Sequence, residues 1–131
     1  MIYAQKHRIY PNRQQRDFFE KSFGCSRFVY NHFLAKNNQQ YAENKKSDGF
    51  VANSKALTVL KCENEWLSEV SSQTLQQSLM HLDSAYTNFF KKNGKYPRFK
   101  KKGNHDSFSC PQACKVIGNK LTIPKCKNIK I

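Results

Sequence analysis

Between Gln73 and Phe90 the chain reads QTLQQSLMHLDSAYTNFF, with Leu75, Leu79, Leu82, Tyr86 and Phe89 recurring at alternating steps of four and three. That period predicts a long helix with one apolar stripe turned to a core. Gln73, Gln76, Gln77, Met80 and Ser84 fall off the stripe, so one side is anchored while another offers amides to a partner. Ser71 or Ser72 is its expected N-cap. Upstream, Asn12 and Gln15 have capping-box spacing, Phe18, Phe19 and Phe23 supply an apolar side, and Gly24 predicts the end of a first helix. Val29, Tyr30, Phe33, Leu34 and Tyr41 predict a second helix, and the pair joined at Gly24 has a helix-turn-helix shape. Lys45 to Asn53, KKSDGFVAN, reads as a loop. Asn53 or Ser54 is then expected to cap a short third helix carrying Ala56, Leu57 and Leu60, followed by an apolar knot of Trp66, Leu67 and Val70, with Trp66 in the core.

The texture changes at both ends. Met1 to Tyr10 mixes Ile and Tyr with basic residues, lacks a helical stripe and stops at Pro11, which predicts a short strand pairing with something distant. After Ser107, KVIGNKLTI places two β-branched runs around Gly118-Asn119, a hairpin signal, and KNIKI alternates like a third strand. The expected class is therefore α+β: a helical lobe of three to four helices inserted between an N-terminal strand and a C-terminal group of strands, which share one small barrel or sheet. KNIKI stops in mid-pattern, so the expectation is the front part of something longer, or a truncated copy.

A chain of 131 residues holds one or two compact units. Its formal charge of +14, from 23 Lys and Arg against 9 Asp and Glu, exceeds what solubility needs and points to a polyanion, nucleic acid first. A membrane surface is the competing partner, but no stretch approaches the ~20 apolar residues of a spanning helix. The N-terminus lacks the apolar core of a signal peptide, so an intracellular, cytoplasmic protein associated with the nucleoid is expected. Five cysteines then read as reduced thiols, with Cys25 and Cys62 as small core residues. His105, Cys110, Cys114 and Cys126 have the chemistry of zinc ligands. Their irregular spacing favours thiols packed in or beside strands, with no metal or cofactor expected.

The acids are scattered. Glu63, Glu65 and Glu69 cluster around Trp66, where a solvated acidic face is preferred to a two-metal site, and no nucleophile arrangement is visible. The informative chemistry is basic. KKNGKYPRFKKKG carries Lys91, Lys92, Lys95, Arg98, Lys100, Lys101 and Lys102, and Tyr96 and Phe99 stand among them. Cations serve phosphates and flat rings serve unpaired bases, whereas a plain basic tail lacks such rings. Lys6, Arg8 and Arg13 add cations that either touch the nucleic-acid backbone or face solvent. Gln73, Gln76 and Gln77 have the donors and acceptors that base edges require.

The order RIYPN, RQQ, FGCSRFVYN, SSQTLQQSLMHLDSAYTNFFKK, YPRFKKK, DSFSCPQ and IGNKLTIPK resembles the N-terminal part of the OrfB-type transposase family called TnpB, across nearly the whole chain. That family is related to miniature type V CRISPR effectors. The resemblance implies a discontinuous wedge-type β-barrel from residues 1–10 and 103–131, interrupted by a helical recognition lobe over 11–102 with its basic segment at 91–102. It also implies binding of a guide RNA derived from the transposon end and of double-stranded DNA carrying a short flanking motif. Gln73, Gln76 and Gln77 are then expected to face that DNA. Tyr96, Arg98, Phe99, Lys100 and Lys101 are expected to track the RNA or heteroduplex. The family's RuvC-like nuclease and zinc module lie further along, so these residues are expected to bind without cutting. The alternatives are a free-standing helix-turn-helix DNA-binding protein acting on transposon ends or as a regulator, and a small ribosomal-type RNA-binding protein.

Overall fold

A computed structural model describes residues 4–44, 49–103 and 106–131. The order is α1 (Arg13–Asn44), α2 (Phe50–Glu63), a 3₁₀ turn (Glu65–Glu69), α3 (Ser72–Phe90), then β1 (Lys115–Ile117), β2 (Lys120–Ile123) and β3 (Cys126–Lys130). The α+β class and the helical lobe preceding the strands are as expected. Asn12 and Gln15 form the predicted capping box, each backbone N–H donating to the other's side-chain oxygen at 2.9 Å.

The helix so begun does not stop at Gly24. It runs 32 residues without a turn, which corrects the two-helix reading and removes Gly24 as the corner of a helix-turn-helix. The reason is tertiary. Ser22, Cys25, Ser26, Val29, Tyr30, Phe33, Leu34 and Asn37 are all buried, and they make one helical stripe that passes Gly24 on its flank. Small polar residues on that stripe disguise its continuity in the sequence. The glycine's conformational cost, about 1 kcal/mol against alanine, is too small to break it.

Three other expectations need correction. The helix expected to be capped by Asn53 or Ser54 starts earlier, with Gly49 as its cap, so 50–53 is helical and Asn53 is buried; residues 45–48 of the expected loop lie outside the described residues. Trp66 is 42% exposed and lies edge-on against Phe28 at 4.9 Å, while Leu67 and Val70 fill the core in its place. Cys62 is exposed rather than packed. Ser71 does cap α3, although its hydroxyl makes no capping hydrogen bond.

The strands form a three-stranded antiparallel sheet in the order β1-β2-β3. Ile117 faces Lys120 across the predicted two-residue turn, and Gly118 takes φ +60°, as the first position of a type II′ turn requires. Pro124 and Lys125 make the next turn. Lys125 occupies left-handed φ space (65°), where glycine is easier, and its ammonium donates to the carbonyls of Ser68 (2.7 Å) and Val70 (3.1 Å), tying the sheet to the helical lobe. The N-terminal segment meets the closing strand as expected, but through one bridge: the Tyr10 N–H donates to the Lys130 carbonyl at 2.7 Å. Ala4 to Ile9 form no strand, and the described strands make an open sheet rather than a closed barrel.

Two cores result, and α1 serves both. Its second half packs with α2, the 3₁₀ turn and α3 around Phe33, Leu34, Leu67, Leu75, Leu79 and Leu82. Its first turns present Phe18 and Phe19 to Ile123, Cys126 and Ile129 of the sheet, with Ile9 and Phe108 at the margin.

Candidate nucleic-acid interface

α3 ends before the basic segment in a Schellman arrangement, not at Gly94. Lys92 takes φ 61°, its N–H donates to the Phe89 carbonyl at 3.0 Å, and the Asn93 N–H donates to Asn88 at 2.8 Å. From there the chain runs back along α1 in extended form. Three polar side chains of α1 hold it. Asn38 Oδ1 accepts from the Tyr96 hydroxyl, and it also accepts from Tyr86 at 3.1 Å. Asn31 clasps the peptide of Lys100, accepting from its N–H at 2.7 Å and donating to its carbonyl at 2.9 Å. Arg27 donates to Asp106 at 2.9 Å, and the other Asp106 oxygen accepts from the Gly103 N–H at 3.1 Å.

Residues 27, 31 and 38 are spaced by four and seven, so they share one helix face and span roughly 16 Å of its axis. The segment therefore descends along α1 as α1 rises. Nothing in the basic run announces this, because the anchors lie about 70 residues upstream. A signal was present in α1 itself, where Arg27, Asn31 and Asn38 are polar at helical spacing beside the apolar stripe.

The strip sorts the predicted residues. Lys91, Lys92, Lys95, Arg98, Lys101 and Lys102 are exposed. Among the described residues the two ion pairs are Lys21–Glu69 and Arg27–Asp106, so none of these six is neutralised by an acid. Lys100 differs: its ammonium lies 4.5 Å over the Tyr30 ring, and partial burial lowers its pKa. Tyr96 is spent internally, edge-on to Tyr86 (5.7 Å) and Phe89 (5.0 Å), while Phe99 is the ring of the segment left more than half exposed. Burial, and then the neighbouring Tyr96 hydroxyl, push the Tyr86 phenol well above its usual pKa.

The glutamines divide similarly. Gln77 meets Lys100 and Lys101 at a polar pocket of about 30 Å³ between α1, α3 and the strip, which Arg27, His81 and the unpartnered Ser26 hydroxyl also border. Gln73 is occupied in accepting from the Gln112 N–H at 3.0 Å. Gln76 is exposed. Arg8 and Arg13 lie away from this strip, and Lys6 is exposed in the N-terminal coil. Arg13 opens α1 some 14 residues before Arg27, about 21 Å along the axis, and Arg8 lies 6.0 Å over Tyr10 at the sheet. The zinc alternative gains nothing: His105 lies outside the described residues, Cys114 is exposed, Cys126 is buried in the sheet-side core, and no cluster of three metal-ligating side chains occurs among the described residues.

These features define an α+β module that uses a helical scaffold to display a fixed cationic strip. Residues 1–46 match the family described as a helix-turn-helix domain of OrfB-type proteins, although residues 13–44 are one helix here. The chain is 36% identical over 128 residues to InsQ of Escherichia coli, a protein named as an RNA-guided DNA endonuclease, covering 95% of this chain and 32% of InsQ. It is 43% identical over 99 residues to a Streptomyces pristinaespiralis protein named for the same activity, covering 74% of this chain and 25% of that one. It is also 30% identical over 113 residues to the virulence protein VsdF of Salmonella dublin, covering 78% of this chain and 95% of VsdF. The chain belongs to the TnpB/OrfB-type transposase family and corresponds to its N-terminal portion. It spans about a third or less of the length of the two endonuclease-named relatives.

Proposed function

We propose that this chain binds a structured RNA from the transposon end, together with duplex DNA carrying a short flanking motif, as the binding part of an RNA-guided nuclease. In this division of labour base pairing reads the target, and the protein needs cations for the strands and a few side chains for the flanking motif. The observation that carries the reading is the fastening of Tyr96, Lys100 and Asp106 to one face of α1, which holds six unneutralised cations at 91–102 beside it. Gln76, the glutamine free at the surface, is assigned to the flanking DNA, and Gln77 to the strip. Residues 11–102 act as the recognition lobe, and 1–10 with 103–131 as the wedge that supports it. Binding without cleavage, in the cytoplasm at the nucleoid, is the role assigned to this stretch.

The test is binding to transposon-end RNA across a salt series. Changing Lys95, Lys101 and Lys102 together to Ala should flatten the log–log salt slope by roughly 2 to 3, one counterion per lost contact. An unchanged slope, or selective binding to a palindromic duplex with no preference for RNA, would overturn the reading. The match to VsdF over 95% of its length favours a second reading, a free-standing DNA-binding protein of about this size. The same assay separates the two, since that protein has no use for the RNA.

A further inference from the structure

Where the strip leaves α3, a cavity of about 180 Å³ opens between α1, α3 and the start of the extended segment, lined by Asn37, Tyr41, Tyr86, Phe89, Phe90 and Tyr96. Its walls are rings. Tyr86 and Phe90 are near-parallel at 6.4 Å and 18°, and Phe89 stands edge-on to both Phe90 (5.3 Å) and Tyr96 (5.0 Å). Tyr86 and Tyr96 are pinned by their shared acceptor, Asn38, so the walls are set before anything enters. Asn37 contributes the carboxamide. It is 2% exposed, and its side-chain oxygen has no hydrogen-bond partner.

An unsatisfied buried acceptor costs about 1–3 kcal/mol and calls for an explanation. The volume is about six times the ~30 Å³ share of one liquid water, but rings give water few partners. Rings plus one acceptor suit a flat heteroaromatic group with an N–H on its edge. Aromatic cages also take organic cations. Here the α3 side opposes that: Lys91 and Lys92 follow directly on Phe90, Lys95 comes three residues later, and no acid stands between Ser84 and His105 in the sequence. The same lysines suit the phosphates of a strand whose base has turned inward.

We propose that this pocket accepts one unstacked nucleobase of the bound strand, stacked against Tyr86 and Phe90, with its edge presented to Asn37. This rests on the nucleic-acid reading above and adds to it a site that grips a base rather than a backbone.

The experiment compares the full chain on single-stranded oligoadenylate and on an equally long, fully abasic strand, which has the same charge and no rings. Phe90 is 58% exposed, so Phe90→Ala should leave the fold intact. It should weaken oligoadenylate binding by about 5- to 150-fold, the range for losing one base–aromatic stack, and leave the abasic strand unaffected. Asn37→Leu is the second variant. It should hold or raise the melting temperature by removing an orphan acceptor, yet also weaken oligoadenylate selectively. Equal effects on the two strands, or none on either, would overturn the pocket while the polyanion reading stands. Failure of the unaltered chain to bind either strand would remove both. A deoxy version of the oligonucleotide shows whether the captured base belongs to RNA or DNA, and a Phe90-dependent preference for either over its abasic counterpart supports the site.

Discussion

The two cores that share α1 are built to different standards. Around Phe33, Leu75 and Leu79 the buried side chains are at most 6% exposed and come from α1, α2, the 3₁₀ turn and α3, so four elements close on one another. On the sheet side the same helix meets a layer with much less cover. β1 is exposed along its length, with Val116 at 60% and Ile117 at 74%, and a cavity of about 330 Å³ lies among Phe19, Phe23, Phe108, Leu121 and Ile129. The helical core carries the fold and the strip, because every anchor of the strip stands on the part of α1 that this core immobilises. The sheet is held at few points: the bridge at Tyr10, Gln15 donating to the Lys127 carbonyl at 2.9 Å, and the Lys125 ammonium on Ser68 and Val70.

The contrast is broken most directly by truncation. Leu79→Ala should cost about 2–5 kcal/mol, because four packed elements cannot collapse onto the space. Ile117→Ala should fall within about 0.5 kcal/mol, as for exposed positions generally. Denaturant midpoints compare them, and equal losses would mean that β1 is packed in solution. Alkaline pH probes the same core chemically. Burial, reinforced by Glu69, raises the Cys25 thiol from its ordinary 9.0 to about 11. The folded state thus holds that proton more tightly than the unfolded chain, so its contribution is complete below pH 9 and is lost as pH rises through about 11. Unfolding midpoints should fall over that window, and Cys25→Ala should fall less. A thiol reagent at neutral pH should reach exposed Cys62 and Cys114 long before Cys25 and Cys126.

Asn31→Ala addresses the link between core and strip. Two hydrogen bonds to the Lys100 peptide are lost, each worth about 0.5–1.5 kcal/mol net. The expected sum is about 1–2 kcal/mol, and the Lys100 amide should exchange its hydrogen much faster with the rest of α1 still protected. Protection unchanged at Lys100 would detach the strip from α1.

What the sequence shows of this molecule follows the same divide. The stripe of α3, the Asn12 and Gln15 box and the Gly118-Asn119 hairpin are legible because each is settled by residues within a turn or two of one another. The course of the strip is not, since Asn31 and Lys100 are 69 residues apart and an isolated Asn has no pattern. Trp66 misleads because size alone suggests burial, whereas Leu67 and Val70 occupy the space. The cationic character of 91–102 is plain from the sequence, and which of its members remain free is not. That depends on Tyr30 lying beneath Lys100 and on Asn38 holding Tyr96.

Gly24 supplies the smallest test, and its sign matters more than its size. In a helix-turn-helix the glycine would sit at a corner, where a side chain is strained, and Gly24→Ala would destabilise. Here it is a helix-interior residue, and a Cβ added to it would meet only the flexible end of Arg27, at 3.8 Å. Alanine then loses less chain entropy on folding and keeps every contact, so stability should rise by about 0.5–1 kcal/mol. Helix content should be unchanged. A loss of stability would put a turn back at Gly24 and break the single stripe from Ser22 to Asn37. The two cores would then be uncoupled, because Phe18 and Phe19, which meet the sheet, precede Gly24, and the stretch of α1 that packs on α3 follows it.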